Sequence, residues 1–291
     1  MSTDHLTEAA DGPAGVPASA DALAAEALAA VAQRRQIAPF SARYAGVDLA
    51  LAYRAAASIR ATRMARGETP VGRKIGFTNR TIWAEYDVWA PIWGDVYDST
   101  VHDIPATGGS FSLAGLAEPR IEPEIVFGLA RAPAVDMDDA ALLGCIDWVA
   151  HGFEIVQSIF PGWKFAAPDT VAAFGLHGAL LIGPRHSAAA GAAAWLASLA
   201  SFEIDLCCDG VVVDRGHAAN VLGGPLSALR HLLQGLAQDG AQAPLAAGDI
   251  VTTGTVTRAM PVAAGQVWQT VLRGLALPGL ELRLNSGVLS A

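Results

Sequence analysis

Apolar positions fall at helical spacing near the start of the chain and in alternating or continuous runs over most of the remainder. Ala, Leu and Glu from Asp21 to Gln36 predict a helix with Asp21 near its N-cap. A second helix runs from about Val47 to Ala65 and stops at Gly67, with Pro70 beyond. Residues 1–20, rich in Ala, Gly, Pro, Ser and Asp without periodicity, are expected to be a disordered tail. Val71–Thr78 reads as a strand, whereas Trp83–Tyr97 has no clean period and reads as a lid or a pocket wall. In Arg120–Phe127, Ile121, Ile125 and Phe127 share one face and Glu122 and Glu124 the other. Pro123 cannot donate to a ladder there, which predicts an edge or a bulge.

Asp136–Val149 is expected to be a helix capped by Asp136 or Asp138, and Gly152–Ser158 a strand with Glu154, Val156 and Ser158 on one face. Val171–Ile182 suggests sheet, and Ser201–Asp214 a hairpin turning at Asp209-Gly210. A helix over Pro225–Gln238 precedes three short strands, Asp249–Thr257, Gln266–Leu272 and Leu280–Leu284. Strands outnumber helices without regular β-α alternation, so the fold class is α+β with an antiparallel or mixed sheet curled on itself.

Composition narrows the function. With 52% hydrophobic and 16% charged residues in 291, the chain can bury a full core as one large or two small domains. The net charge of −9, without a basic run, argues against nucleic acid as a partner. No stretch has the roughly 20 strongly apolar residues of a membrane span, and no signal-peptide pattern opens the chain. Cys145, Cys207 and Cys208 form no Cys-x-x-Cys pair, which points to a reducing, cytoplasmic setting. Nucleotide-binding loops, the nucleophile elbow and His-Glu-x-x-His are all missing. Of 19 basic residues 17 are Arg, and the two lysines are Lys74 and Lys164. Lysine shifts its pKa readily where arginine stays charged, so both lysines become candidates for chemistry.

Glu122 and Glu124, about 7 Å apart on one strand face, repel each other. On a buried face a hard divalent cation with oxygen ligands relieves that repulsion, and on a solvated face nothing is needed. Glu154, between apolar Phe153 and Ile155, is the candidate third acid.

Several segments resemble, in order, the 2-oxopent-4-enoate hydratase/4-oxalocrotonate decarboxylase family of the fumarylacetoacetate hydrolase-like superfamily. They are Gly72–Thr78, Arg120–Phe127, Phe153–Ser158, Trp163-Lys164, Asp169–Ala172 and Gly248–Thr255. The resemblance implies a mixed β-roll (residues 71–291) behind a smaller helical N-terminal part (residues 21–70). It implies one Mg²⁺ or Mn²⁺ on Glu122, Glu124 and Glu154, with Lys74, Lys164 and Asp169 as catalytic candidates. The substrate would be a small 2-oxo or 2-hydroxydienoic acid from ring-cleavage catabolism, and the chain a homo-oligomer. Hydration of a dienoate is the first expectation, decarboxylation of a 2-oxo acid the second and C–C hydrolysis the third. A ligand-binding homologue without catalysis is the rival from another class. The chain departs from the family pattern at Ala173–His177 and in the tryptophan-rich stretch; Trp93 and His177 from these departures, with Thr255, are the candidate substrate-binding residues.

Overall fold

The first helix begins two residues earlier than its sequence pattern suggests. The computed structural model describes residues 17–80, 83–86, 88–239 and 242–287. In it, Ser19 rather than Asp21 caps α1 (Ala20–Ala32), its hydroxyl accepting the Ala22 N–H at 3.2 Å. Pro17 forms a bridge to Ala45, so residues 17–20 are ordered; the rest of the expected tail, residues 1–16, lies outside the described residues. After α2 (Phe40–Arg43), Asp48 caps α3 (Leu49–Ala65) through the Leu51 N–H. Leu23, Ala27, Phe40, Ala52 and Ile59 from these helices pack against Phe160, Val171 and Ala172 of the strand-rich part.

The chain continues through β1 (Pro70–Gly76), α4 (Trp83–Tyr86), β2 (Ile92–Tyr97), β3 (Val101–Asp103), β4 (Gly109–Ser112) and β5 (Arg120–Leu129). Next come α5 (Asp139–Leu143), β6 (Ile146–Val156), α6 (Ala167–Ala172), β7 (His177–Ile182), β8 (His186–Ser187) and α7 (Ala192–Leu199). The last part holds β9 (Glu203–Cys208), β10 (Val211–His217), α8 (Pro225–Gln238), β11 (Ile250–Thr255), β12 (Met260–Pro261), β13 (Val267–Arg273) and β14 (Glu281–Asn285). One mixed sheet has the order β2-β1-β11-β5-β6-β7-β3, with β12 and β8 added beside β5 and β6; a second has the order β10-β9-β13-β14-β4. Leu206, Trp268 and Leu282 of the second sheet meet Ile121, Phe153 and Leu181 of the first in a shared core. The amphipathic α8 lays Leu229, Leu232 and Leu236 over Phe127 and Val251. This is an α+β mixed β-roll with helices packed against it. No helix among the described residues is long and apolar enough to cross a membrane.

Two expected elements change. The helix expected over Asp136–Val149 is only the short α5, because the β-branched and aromatic residues from Ile146 onward pair with β5 instead, as in Val149 opposite Phe127. The sheet expected from Val171 starts at His177. Before it, Pro168 in the first turn and the Asp169 side chain accepting the Ala166 N–H start α6. The tryptophan-rich stretch resolves into α4 and β2. Pro123 sits on a central strand, not an edge, and its place is explained by a bulge in β11: Thr252 faces Val126 while Thr255 faces Glu124.

β1 lies between β2 and β11, and its approach to β11 requires glycine at position 72. A Cβ there would sit 1.8 Å from the Ile250 carbonyl oxygen. Gly72→Ala is expected to cost about 3 kcal/mol by overpacking, whereas Gly46→Ala, with φ +74° and nothing within 4 Å, costs only the roughly 1–2 kcal/mol of a left-handed backbone. Urea unfolding midpoints of the two variants check this, and equal losses would contradict it.

Candidate metal centre

Alternation puts Arg120, Glu122 and Glu124 on one face of β5. Antiparallel pairing sets Glu154 of β6 directly opposite Glu122. The three carboxylates converge, each contributing an oxygen within 4.8 Å of the others. Glu124 and Glu154 are fully buried, while Glu122 is partly exposed to a cavity that Lys74 also lines. Lys74 arrives from β1, 3% exposed, and its Nζ stands 3.3 Å from Glu154 Oε2 in an ion-pair contact not aligned as a hydrogen bond.

The remaining carboxylate oxygens divide in a regular way. Because β11 bulges, the Gly254 N–H turns from the ladder and donates to Glu124 Oε2 at 2.8 Å. Gly254 has φ +96°, and a Cβ would lie 2.0 Å from Thr78 Oγ1, so only glycine serves here. Glu154 Oε1 bonds His177 Nδ1 at 2.7 Å. Glu124 Oε1 and Glu154 Oε2 are left buried without a hydrogen bond.

Burial, with Glu154 and Glu122 adding repulsion, pushes the Glu124 carboxyl well above the usual range. Burial pushes Glu122 up to about 7 against the pull of Lys74. Burial also acts on Glu154, but Lys74 and His177 outweigh it and hold this carboxyl below its ordinary value. For Lys74, burial works against the charge, and the three glutamates prevail and hold the ammonium above the usual lysine range. Two orphaned oxygens among three clustered carboxylates are the donor set of a hard cation, so these residues fit one.

The cavity walls are Phe77, Tyr86, Ile92, Trp163, Phe165 and Leu176, with Thr78, Asn79, Arg120 and Thr255 as its polar members. Of the three residues expected to bind substrate, Thr255 lines this cavity. Trp93 does not: Ile92 faces the cavity, so its neighbour on β2 points the other way, stacked on Tyr53 at 4.2 Å. His177 is 4% exposed behind Glu154 and away from this cavity, not against a substrate. Lys164 is exposed after the turn Pro161–Trp163 and outside the cavity lining. Asp169 is fully buried but bonds the Ser41 N–H (2.8 Å), the Ser41 hydroxyl (2.6 Å) and the Ala166 N–H (2.8 Å), tying α2 to α6. Lys164 and Asp169 form no ion pair with each other. Arg120, stacked 4.1 Å over Trp163, lines the cavity and had no role assigned from sequence, although its two-residue spacing from Glu122 marks it. The Gly254 N–H gave no such signal, because a backbone donor carries none in the residue type.

Known proteins agree with this fold. Residues 100–276 match the fumarylacetoacetate (FAA) hydrolase C-terminal family. The chain is 30% identical over 255 residues to the 2-hydroxyhexa-2,4-dienoate hydratase of Comamonas testosteroni, covering 87% of this chain and 93% of that one. It is 31% identical over 223 residues to a 4-oxalocrotonate decarboxylase of Pseudomonas sp, covering 75% and 82%. The solved 4-oxalocrotonate decarboxylase from Pseudomonas putida G7, complexed with magnesium and adipate, superposes with a TM-score of 0.81 at 27% identity, covering 91% of this chain and 97% of that one. The chain thus belongs to the 2-oxopent-4-enoate hydratase/4-oxalocrotonate decarboxylase family within the fumarylacetoacetate hydrolase-like superfamily.

Proposed function

We propose that this protein is a metal-dependent hydro-lyase that adds water to a 2-hydroxydienoate of the 2-oxopent-4-enoate type. The product is a 4-hydroxy-2-oxo acid, in the catabolism of aromatic compounds. One observation carries the reading: three converging carboxylates, two with an orphaned oxygen, meet a buried lysine at the floor of an apolar cavity. Glu122, Glu124 and Glu154 hold one Mg²⁺ or Mn²⁺. When bound, that cation supplies a Lewis acid for negative charge on the substrate's 2-oxygen. Lys74 presents its ammonium to the same cavity, where it can donate to an anionic substrate oxygen. Thr255 spends its proton on the Thr257 carbonyl at 3.0 Å and offers only lone pairs to a substrate. The aromatic walls lower the local dielectric and strengthen these charge interactions.

Decarboxylation of a 2-oxo acid of the 4-oxalocrotonate type is the second reading, favoured by the close superposition on a decarboxylase. Assay of the purified protein with 2-hydroxypenta-2,4-dienoate and with 4-oxalocrotonate separates the two. The expected result is hydration of the dienoate that stops with EDTA and returns with Mg²⁺ or Mn²⁺. CO₂ release without hydration selects the second reading, turnover indifferent to EDTA removes the metal, and binding without turnover selects a ligand-binding homologue.

The Lys74 stem is closely packed, since a Cβ on Gly175 would lie 3.2 Å from its Cδ. Lys74→Arg should lower kcat by roughly 10²-fold or more with the fold intact, the size of losing one placed proton donor or charge contact. Lys74→Met should do at least as much harm. Steady-state kinetics beside a thermal melt decide it, and a near-normal rate for the arginine variant would sink the role. Asp169→Ala, in contrast, leaves backbone and hydroxyl donors unpaired and should cost about 3 kcal/mol of stability. Below its melting temperature it should change kcat only a little, and a large kcat loss in the folded variant would return Asp169 to the chemistry.

A further inference from the structure

We infer that His177 is a positioning residue which holds Glu154 as a one-oxygen ligand and thereby selects a small octahedral cation, Mg²⁺ or Mn²⁺, over Ca²⁺. This rests on the metal-dependent reading of the same site. An ionised carboxylate only accepts, so the His177 Nδ1 that bonds Glu154 Oε1 at 2.7 Å must donate. The opposite ring nitrogen, Nε2, lies 2.9 Å from Thr100 Oγ1, whose one hydroxyl proton serves either this nitrogen or the Tyr97 carbonyl 3.0 Å away. The imidazole is therefore held on both edges and cannot rotate away from Glu154. Glu154 Oε1 is engaged, and Oε2, without a hydrogen bond and 3.3 Å from the Lys74 ammonium, is the oxygen left for a cation.

Glu124 shows the same division, with Oε2 engaged by the Gly254 N–H and Oε1 free. Both buried glutamates thus offer one oxygen each. Ca²⁺ takes six to eight oxygens and uses bidentate carboxylates readily, whereas Mg²⁺ demands near-ideal octahedral geometry and keeps several waters. A site that withholds the second oxygen of two carboxylates penalises the larger ion. The backbone is bent to deliver the ring: Phe174 (φ +62°), Gly175 (φ +60°) and Leu176 (φ +64°) are all left-handed immediately before His177. Two of them are not glycine, a conformation that costs energy and persists where the surroundings impose it. Gly94 admits this turn, since a Cβ there would lie 2.8 Å from the Phe174 carbonyl oxygen.

The test is cation binding by the metal-free full chain, with Mn²⁺ followed by electron paramagnetic resonance and Mg²⁺ and Ca²⁺ by competition. Wild type should bind Mn²⁺ and Mg²⁺ in preference to Ca²⁺. His177→Gln places its amide at the Nε2 position, facing Thr100 and not Glu154. It should weaken Mn²⁺ and Mg²⁺ by roughly 10–100-fold, the usual cost of losing a partner of a metal ligand, with Ca²⁺ weakened less. His177→Asn places its amide nitrogen where Nδ1 stood and should keep the wild-type preference. A glutamine variant with the wild-type Mg²⁺/Ca²⁺ ratio overturns the inference, and so does an asparagine variant as impaired as the glutamine one. If His177→Gln does not melt cooperatively, Thr100→Val, which loosens only the outer edge of the ring, should shift the ratio in the same direction by less; an unchanged ratio overturns the inference. Wild type that binds no Mn²⁺ overturns the metal reading itself, and the inference with it.

Discussion

Mutual repulsion among Glu122, Glu124 and Glu154 is the constraint that the surrounding structure answers. At separations of no more than 4.8 Å, each charged pair costs at least roughly 3 kcal/mol at an effective dielectric of about 20. Burial adds a desolvation cost to each carboxylate. The protein meets this with one buried cation, Lys74, one backbone donor, Gly254, and one imidazole, His177. These three do not complete the coordination, since Glu124 Oε1 and Glu154 Oε2 are left without hydrogen bonds. Structures seldom bury polar atoms this way without a functional reason, and the two oxygens belong to a donor set that a divalent cation would fit.

The strand arrangement follows from the need to bring those groups to one point. β5 and β6 are adjacent, so Glu122 and Glu154 are cross-strand neighbours. β11 joins β5 to β1, which carries Lys74 opposite Gly94 and Thr252. The extra residue in β11 frees the Gly254 N–H for Glu124. Glycine is required at close approaches, at Gly72 against β11 and Gly94 against the Phe174–Leu176 turn. These contacts rest on backbone meeting backbone, so they tolerate no side chain, and the site inherits its rigidity from them.

The acids, Lys74 and the late glycine turn carry the family's resemblance and form the centre. At Ala173–His177 the structure places three successive left-handed residues and an imidazole on Glu154. Asp169 and Lys164 lie inside matching motifs yet do not meet. One ties α2 to α6 and the other faces solvent. A motif match is a statement about a segment of chain, and each residue in it still takes its role from what it touches.

Strand alternation was enough to put Glu122 and Glu124 on one face, and apolar neighbours were enough to single out Glu154. The scarcity of lysine in an arginine-rich chain pointed to Lys74, because lysine shifts its pKa readily where arginine stays charged. Such features are local: side-chain period, residue type and burial tendency are written position by position. Four others were decided only by packing. The pairing of Ile146–Val156 with β5 overrode a helical pattern, Trp93 turned away because its neighbour Ile92 faces the cavity, Asp169 found Ser41 across 128 positions, and a bulge aimed a backbone N–H at Glu124. Each depends on a partner far away in the chain, and no local pattern says which distant segment will arrive or which face it will present.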